Sequence, residues 1–253
     1  MTESKLLQVE NVSVKFGGLA ALTDVSFAVE SDQVLGIIGP NGAGKTTLLN
    51  ALSKVVRTQP NARVSLAGES LLGKRSHQIA SMGIARTFQI PQLADEDSIF
   101  ENLMVGAHLH RGRRARQAGS AGRSEFDLHG RALMELLGIE GWSNRLAGAA
   151  PYAVRKRVQI GRALLSRPRL MFLDEPASGL TPDEKAELAE SIRAIRAEFG
   201  ISMLIIEHDV DFLKDISDQF LALAWGRVLA SGNVSEVIRH PQVIEAYLGE
   251  PVK

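Results

Sequence analysis

An apolar segment that runs directly into a glycine-rich loop and a helical pattern constrains the fold of this chain more than any other feature. Residues 35–38 have the continuous apolar character of a buried strand, and residues 45–52 carry leucines at helical spacing. Between them the sequence matches G-x-x-x-x-G-K-[ST], with Gly39, Gly44 and Lys45 in their places. The sequence therefore predicts a phosphate-binding loop between a strand and a helix.

The composition of this loop predicts what it binds. Glycines let backbone N–H groups approach phosphate oxygens closely, and the helix that follows directs its positive N-terminus at the same charge. We expect Lys45 to reach the β- and γ-phosphates and the hydroxyl of Thr46 to ligate Mg²⁺. The loop therefore predicts binding of a nucleoside triphosphate with Mg²⁺. The binding residues predicted in it are Gly39, Pro40, Asn41, Gly42, Ala43, Gly44, Lys45, Thr46 and Thr47.

Alternating strand and helix patterns predict an α/β fold. Further short apolar segments have the length of buried strands, and the helical patterns between them are typical of a mainly parallel sheet covered by helices. The segments ahead of the loop show mixed period-two patterning, which predicts antiparallel strands before the nucleotide core. The predicted strands are 6–16, 25–30, 35–38, 169–174, 202–207, 220–225 and 227–232, the last pairing with its predecessor across Gly226.

The segment from about residue 90 to residue 165 carries helical apolar spacing and little strand character. We expect it to form a helical subdomain inserted into a single domain that spans residues 1–253. Within it, residues 110–124 are rich in arginine, glycine and serine. Two interpretations of this stretch stay open, a solvated linker, which we favour, and a contact with anionic lipid or another subunit.

The composition excludes several classes of protein. Lysine and arginine total 29 and are balanced by 29 aspartates and glutamates, so no net basic charge draws the chain to nucleic acid. Cysteine is absent, which excludes disulfides and thiolate metal sites and suits a reducing cytosol. No apolar stretch is long enough to span a bilayer, so any work at a membrane is expected from its side.

Two acidic residues follow the predicted strand 169–174. Asp174 and Glu175 stand at its carboxyl end, where ligands bind in open α/β sheets. Asp174 is expected to hold Mg²⁺ directly or through water, as the second acidic element of a phosphate-loop site. Glu175 then lies beside the γ-phosphate, where a carboxylate can orient and activate water for in-line attack.

Two further polar side chains are candidates for the site, one after a predicted strand and one where the core gives way to the helical insertion. His208 follows the predicted strand 202–207, which should run beside strand 169–174, so its imidazole could reach the γ-phosphate. Gln89 is either an ordinary polar loop residue or an amide that touches Mg²⁺ or the attacking water. The predicted catalytic residues are Lys45, Gln89, Glu175 and His208, and the predicted metal ligands are Thr46, Gln89 and Asp174.

These motifs follow one another in a familiar order. GPNGAGKTT, Gln89, LMFLDEP, SGLTPDE and EHD occur in that sequence, with the helical insertion between Gln89 and the acidic pair. The set resembles the ATPase subunit of ATP-binding cassette (ABC) transporters over essentially the whole chain. More narrowly, residues 12–27, 83–93 and 240–250 resemble the cytoplasmic ATPases of branched-chain amino acid importers and of their urea and amide relatives.

The resemblance implies a cofactor, a mechanism and a set of partners. It implies ATP as the nucleotide and places Phe16 where the family stacks an aromatic ring on adenine. It implies that two ATPase domains dimerise head to tail, with each ATP between one subunit's phosphate loop and the other's signature sequence. It further implies membrane-spanning permease subunits, a periplasmic or lipid-anchored solute-binding protein, and a peripheral location on the cytoplasmic face of the cell membrane.

The sequence departs from the family at the signature. This motif normally reads Leu-Ser-Gly-Gly-Gln, or Leu-Ser-Tyr-Gly-Gln in the subfamily, whereas residues 150–154 read APYAV. Pro151 replaces the serine and removes both its hydroxyl and a backbone N–H, and Ala153 adds a Cβ where the partner's phosphate approaches. Tyr152 and Ala153 are the signature residues expected at the partner's ATP. A heterodimer with one strong and one weak ATP site is therefore favoured over a homodimer.

Other functions share parts of this motif set. An exporter ATPase for lipid or lipopolysaccharide has nearly all of it and stays open as the alternative. A cassette ATPase acting on nucleic acid is less favoured, because it would be expected to carry two cassettes, a coiled-coil or zinc insertion, or a basic face. A small-molecule kinase would also contain the phosphate loop, but it would not need Glu175 combined with Gln89 and His208.

Overall fold

A computed structural model of the protein describes residues 5–107 and 127–248. Helices surround two β-sheets, one antiparallel and one mostly parallel. The strands are β1 (Lys5–Phe16), β2 (Leu19–Glu30), β3 (Val34–Ile38), β4 (Arg63–Leu66), β5 (Glu69–Ser70), β6 (Ile84–Arg86), β7 (Leu170–Asp174), β8 (Ser202–Ile206), β9 (Gln219–Ala224) and β10 (Arg227–Asn233). The helices are α1 (Lys45–Leu52), α2 (Ser76–Ser81), α3 (Ile99–Met104), α4 (described over 127–136), α5 (Tyr152–Leu165), α6 (Pro182–Phe199), α7 (Val210–Ile216), α8 (Val234–Val237) and α9 (Pro241–Leu248).

The larger sheet places the phosphate loop at its centre. Its strand order is β10-β9-β3-β8-β7-β6, and every pair in it is parallel except β9 with β10. The prediction of an α/β fold with a mainly parallel sheet is therefore confirmed. Strand β9 ends one residue earlier than predicted, because Trp225 has a φ of +48° and turns the chain with Gly226 into β10.

The smaller sheet is antiparallel and has the order β2-β1-β4-β5. The antiparallel strands predicted ahead of the nucleotide core are confirmed in β1 and β2, which pair over most of their length. Strands β4 and β5, and also β6 of the larger sheet, were not predicted. They are two to four residues long, too short to show a clear alternation of apolar and polar residues.

Alternate residues of the central strands belong to two different hydrophobic cores. Leu35 and Ile37 of β3 face a core shared with the antiparallel sheet and α1, whereas Val34 and Ile38 face the core formed with α3, α5 and α6. Successive side chains of a strand point to opposite faces, so a strand covered on both sides is apolar throughout. This explains why residues 35–38 read as a continuous apolar run.

Local sequence sets the ends of α6, the longest helix within the described residues. The side chain of Thr181 accepts a hydrogen bond from the backbone N–H of Glu184, the Glu184 carboxylate binds the Thr181 N–H in return, and Pro182 occupies the first turn. These contacts satisfy N–H groups that have no partner within the helix. Gly200 ends α6 in the left-handed conformation with a φ of +57°, which glycine adopts without steric cost.

The described residues between 90 and 165 contain α3, α4, α5 and three short 3₁₀ helices, Val105–Ala107, Glu140–Trp142 and Ala147–Ala149. Their β-structure is limited, as far as they are described, to an isolated bridge between Ser98 and Leu146. The arginine-rich stretch 110–124 lies outside the described residues. Across 5–107 and 127–248, no helix combines the length and the apolar character needed to cross a membrane.

Candidate nucleotide-binding site

The loop between β3 and α1 is packed too closely against neighbouring backbone to carry side chains at its first and last glycines. A Cβ on Gly39, whose φ is +153°, would lie 2.0 Å from the carbonyl oxygen of Leu223 in β9. A Cβ on Gly44, whose φ is +103°, would lie 2.8 Å from the carbonyl oxygen of Ala21 in β2. The glycines thus let the loop lie against both sheets and present its backbone to a ligand.

Lys45 begins α1 and turns its side chain back into the loop. Its ammonium group donates hydrogen bonds to the carbonyl oxygens of Gly39 at 2.6 Å and Pro40 at 3.0 Å. Burial lowers the pKa of Lys45, and the charges of Glu175 and Asp174 act in the opposite direction. The lysine therefore carries the cationic group of the loop into the neighbourhood of both acids, where a phosphate would be placed.

A cavity of about 610 Å³ opens beside this loop. It brings together residues from the β1–β2 turn, the phosphate loop, the ends of β7 and β8, and the β9–β10 turn. Its lining consists of Phe16, Leu19, Ala20, Ala21, Asn41, Gly42, Ala43, Gly44, Lys45, Thr46, Thr47, Glu175, His208, Trp225 and Gly226. Among the predicted site residues, Gly39, Pro40, Gln89, Asp174, Tyr152 and Ala153 are not part of this lining.

Glu175 is held between the two polar side chains expected beside it. Its Oε1 lies 2.7 Å from Nε2 of His208, and its Oε2 accepts a hydrogen bond of 2.5 Å from Nε2 of Gln89. Strands β7 and β8 are adjacent and parallel, which brings Glu175 and His208 to one edge. Glu175 has a φ of +49°, and its N–H donates to the carbonyl of Ile206 at 2.9 Å. A carboxylate so oriented can position and deprotonate a water molecule.

Asp174 is buried and paired with a residue that the sequence analysis did not single out. Its Oδ2 accepts a hydrogen bond of 2.9 Å from Nη2 of Arg86, which also donates to Oδ1 of Asn50 at 2.8 Å. Arg86 precedes Gln89 by three residues, so one short segment contacts both acids. No sequence pattern links residues 86 and 174, since their contact arises from the parallel pairing of β6 with β7.

The donor atoms at the site fit Mg²⁺. Thr46 offers a hydroxyl in the cavity lining and Asp174 a carboxylate nearby, and Mg²⁺ takes oxygen ligands of this kind. The described residues contain no group of three or more His, Cys, Asp and Glu side chains able to hold a metal. Magnesium bound to phosphates keeps several waters and uses only one or two carboxylates. Thr46 and Asp174 together supply ligands of that kind and number.

Two buried charged residues support the backbone around Glu175 and were not assigned a role from the sequence. The ammonium group of Lys156 in α5 donates a hydrogen bond of 2.7 Å to the carbonyl oxygen of Glu175. The carboxylate of Glu207 accepts hydrogen bonds from the N–H groups of Ala177 at 2.5 Å and His208 at 3.1 Å. Burial raises the pKa of Glu207, and these two backbone hydrogen bonds oppose the shift.

The signature residues lie at the start of α5, away from the cavity of their own chain. Pro151 precedes the helix and provides no side-chain cap, yet α5 forms as expected from Tyr152 to Leu165. The hydroxyl of Tyr152 donates a long hydrogen bond of 3.4 Å to the carbonyl of Gln89. Ala153 is buried, with 6% of its surface exposed.

Comparisons with known proteins agree with this geometry. A family model described as ABC transporter matches residues 22–178, which include the phosphate loop, Gln89, the signature and the two acids. The chain belongs to the ABC transporter family. A second model, described as branched-chain amino acid ATP-binding cassette transporter, matches residues 227–253 of this ABC protein.

Relatives of this ABC protein match it over nearly its whole length. It is 38% identical over 253 residues to the high-affinity branched-chain amino acid transport ATP-binding protein BraF of Pseudomonas aeruginosa, covering 97% of this chain and 98% of BraF. It is 35% identical over 251 residues to the LivG protein of Escherichia coli, of the same description, with coverages of 97% and 98%.

Solved structures share the fold of this ABC protein. The ADP conformation of MJ1267, an ATP-binding cassette of an ABC transporter, superposes with a TM-score of 0.84 at 30% identity, covering 97% of this chain and 99% of that chain. A nucleotide-free ATP-binding cassette from an ABC transporter gives a TM-score of 0.84 at 29% identity, with coverages of 97% and 100%.

Proposed function

We propose that this ABC protein binds and hydrolyses Mg²⁺-ATP in the cavity beside residues 39–47 and thereby powers the import of branched-chain amino acids or related small nitrogen compounds. The observation that carries the proposal is the position of Glu175, which is bonded to both Gln89 and His208 and lines the same cavity as Lys45. The named functions of BraF and LivG support the class of solute.

The proposed mechanism assigns tasks to individual side chains of the site. Lys45 and the loop N–H groups bind the β- and γ-phosphates, and Phe16 contacts the adenine. Glu175 accepts a proton from the attacking water, while His208 and Gln89 orient its carboxylate and the γ-phosphate. Thr46 and Asp174 would hold Mg²⁺, with Gln89 as a further ligand, and the ion supplies charge neutralisation at the phosphates.

Binding and hydrolysis are separable at this site, and two variants test the assignment. Lys45→Ala should raise the dissociation constant for Mg²⁺-ATP about 100-fold, because it removes a charge-assisted contact to the phosphates. Glu175→Gln should keep ATP affinity but lower turnover by roughly 10²- to 10³-fold, because the amide cannot take the proton.

Calorimetric titration of the purified chain and phosphate release by the assembled transporter measure the two effects. Lys74→Ala is the control, since its ammonium group pairs with Glu69 on the surface, away from the cavity. Unchanged affinity in Lys45→Ala, or full turnover in Glu175→Gln, would contradict the assignment. Uptake of radiolabelled leucine by cells carrying these variants tests the solute class.

We also propose that the chain works as a heterodimer with a second ABC ATPase that carries a complete signature. Pro151 provides no hydroxyl at the start of α5 and Ala153 is buried, so this signature is a poor partner for another subunit's γ-phosphate. Its own cavity keeps Lys45, Glu175 and His208. One ATP site of the pair is then strong and the other weak.

Repair of the signature tests this asymmetry. The purified chain alone should hydrolyse ATP slowly, and the double variant Pro151→Ser with Ala153→Gly should raise its turnover at least about tenfold, because each restored donor stabilises transition-state charge. Turnover is measured against protein concentration, since head-to-tail pairing is bimolecular. Equal turnover in the original and repaired chains would count against the heterodimer.

A second cavity supports a permease subunit as the membrane partner. It measures about 410 Å³ and lies between the core and α5, with a lining that includes Val55, Phe88, Val105 and Ala163. Val55, Phe88 and Val105 are exposed large apolar side chains, which mark an interaction surface when they cluster. We propose that the permease seats here from the cytoplasmic face of the membrane and that a solute-binding protein delivers the solute to it.

A further inference from the structure

The turn between β9 and β10 holds a large aromatic residue in an unfavourable conformation. Trp225 has a φ of +48° and 52% of its surface is exposed. A bulky residue other than glycine rarely adopts this left-handed region, and such strain persists only where the surroundings fix it. Exposure of an indole ring also leaves a large apolar area in water. The strained backbone and the exposed indole ring together indicate a ligand that the ring could contact.

Hydrogen bonds fix this turn to the phosphate loop and to β2. The N–H of Gly226 donates to the carbonyl of Ala43 at 3.0 Å, and the carbonyl of Gly226 accepts from the N–H of Thr23 at 2.8 Å. A Cβ on Gly226 would lie 2.6 Å from the carbonyl oxygen of Ala21. The position of Trp225 is therefore set by the same elements that form the nucleotide cavity.

Phe16, the last residue of β1, reaches the cavity from the β1–β2 turn. It pairs with Leu19 across the β1–β2 turn, and Ala21, two residues further along, is the neighbour of Gly226. Phe16 and Trp225 both line the cavity of about 610 Å³, and their surfaces are 50% and 52% exposed. Two half-exposed aromatic rings thus border the part of the cavity next to the phosphate loop.

We propose that Trp225 forms a second aromatic wall of the base pocket and contacts the adenine of bound ATP together with Phe16. The inference rests on the proposed function of the cavity as the ATP site. A purine presents two π-faces, and stacking on aromatic side chains binds it with little dependence on hydrogen bonding. Trp225 then contributes affinity for the nucleoside part of ATP but none for its triphosphate part.

Fluorescence separates these two parts of the ligand. The chain has two tryptophans, Trp142 and Trp225, and Trp142 lies in the helical insertion beside Arg145. In a Trp142→Phe background, emission from Trp225 should change on titration with Mg²⁺-ATP and stay nearly constant with Mg²⁺-tripolyphosphate. Calorimetry on the same samples measures the affinity of each ligand.

Two substitutions at the turn provide the matched comparison. Trp225→Asn removes the ring but keeps a residue that tolerates positive φ, and it should raise the dissociation constant for ATP about tenfold while leaving that for tripolyphosphate unchanged. Trp225→Phe retains an aromatic face and should keep most of the ATP affinity.

The outcomes distinguish failure of the proposed Trp225–adenine contact from failure of the proposed ATP site. If ATP and tripolyphosphate both bind and Trp225→Asn alters neither affinity, the second aromatic wall is overturned and the ATP site stands. If neither ligand binds the unaltered chain, the proposed function fails and the inference fails with it. Equal weakening of both ligands by Trp225→Asn would also overturn the inference, because it would indicate a disturbed phosphate loop.

Discussion

Arg86 places a guanidinium group on the acid that is expected to hold Mg²⁺. The side chains of Arg86 and Asp174 are only 9% and 6% exposed, and their atoms are 2.9 Å apart. A buried ion pair adds little net stability compared with an apolar pair, but loss of one partner leaves the other charge without compensation. The pair therefore fixes the orientation of the Asp174 carboxylate at the buried end of β7.

Arg86→Met should lower the free energy of unfolding by about 3 kcal/mol, because Asp174 then stays buried without the charged group that hydrogen-bonds to it. Urea denaturation followed by tryptophan fluorescence measures the change. Arg63→Met is the control, since the Arg63 and Glu10 side chains are 82% and 52% exposed and 3.9 Å apart, and pairs of this kind contribute less than about 1 kcal/mol. Similar losses in both variants would refute the argument.

Several residues of the site could be predicted because chemistry and local spacing define them. The phosphate loop, Glu175 and His208 follow buried strands at positions that the sequence marks, and the cavity gathers them. The burial of Lys156 could also have been predicted from the sequence. This lysine lies three residues after Ala153 and four before Ile160, which are buried on the same stripe of α5, so its spacing predicted burial. Trp225 carried no such pattern.

At the scale of elements, Asp209 joins two helices near the site. It caps α7 by accepting a hydrogen bond from the N–H of Phe212 at 3.0 Å, and its other oxygen accepts one from Lys185 of α6 at 2.6 Å. The hydrogen bond from Lys185, followed by that from Phe212, lowers the pKa of Asp209 below its ordinary value of 3.8. A depressed folded-state pKa means that the ionised form stabilises the protein.

Asp209→Asn isolates the ion pair, because asparagine caps a helix about as well as aspartate. The stabilisation by the charge is fully present above pH 3.8 and is lost as the pH falls through the lower pKa of the folded state. The variant should be less stable by under about 1 kcal/mol at pH 7, and the difference should shrink in acid. Urea denaturation at several pH values measures it.

Asp211→Asn serves as the control for this series. Asp211 lies in the first turn of the same helix, and its side chain is 91% exposed. A larger loss of stability in Asp211→Asn than in Asp209→Asn would contradict the contribution assigned to Lys185.

Elements that fill a complete pattern could be predicted, and short ones could not. The continuous apolar runs of β3, β7, β8 and β9 identify them as strands buried on both faces. Strands β5 and β6 have two and three residues. Strand β6 is held by pairing with β7, which is distant in sequence, and local patterning does not encode that contact. Strand β5 pairs with β4 across a two-residue turn and is too short to show an apolar pattern of its own.

At the scale of the whole molecule, the C-terminal helix reaches back to the phosphate loop. The hydroxyl of Tyr247 in α9 accepts a hydrogen bond of 2.8 Å from the N–H of Gly39. Gly39 is buried, and an unpaired buried N–H group costs free energy. This contact joins residues 208 positions apart, so nothing in either local sequence predicted it.

Tyr247→Phe should lower the free energy of unfolding by about 1 kcal/mol, because it leaves the N–H of Gly39 without its acceptor. It should also speed hydrogen exchange at the Gly39 amide, which NMR measures. Tyr152→Phe is the matched control. Tyr152 is the other of the two tyrosines in the chain, and its exposed hydroxyl makes only a bond of 3.4 Å to Gln89. Unaltered exchange at Gly39 in Tyr247→Phe would refute the contact.

The bond between Tyr247 and Gly39 also bears on synthesis of the protein. A nascent chain that has exposed the phosphate loop but not yet residue 247 lacks the acceptor for the first glycine of that loop. Residue 247 must therefore leave the ribosome before the loop can acquire its final set of contacts. The loop thus gains this contact only after the larger sheet that carries it, whose last strand β10 ends at Asn233, has already emerged.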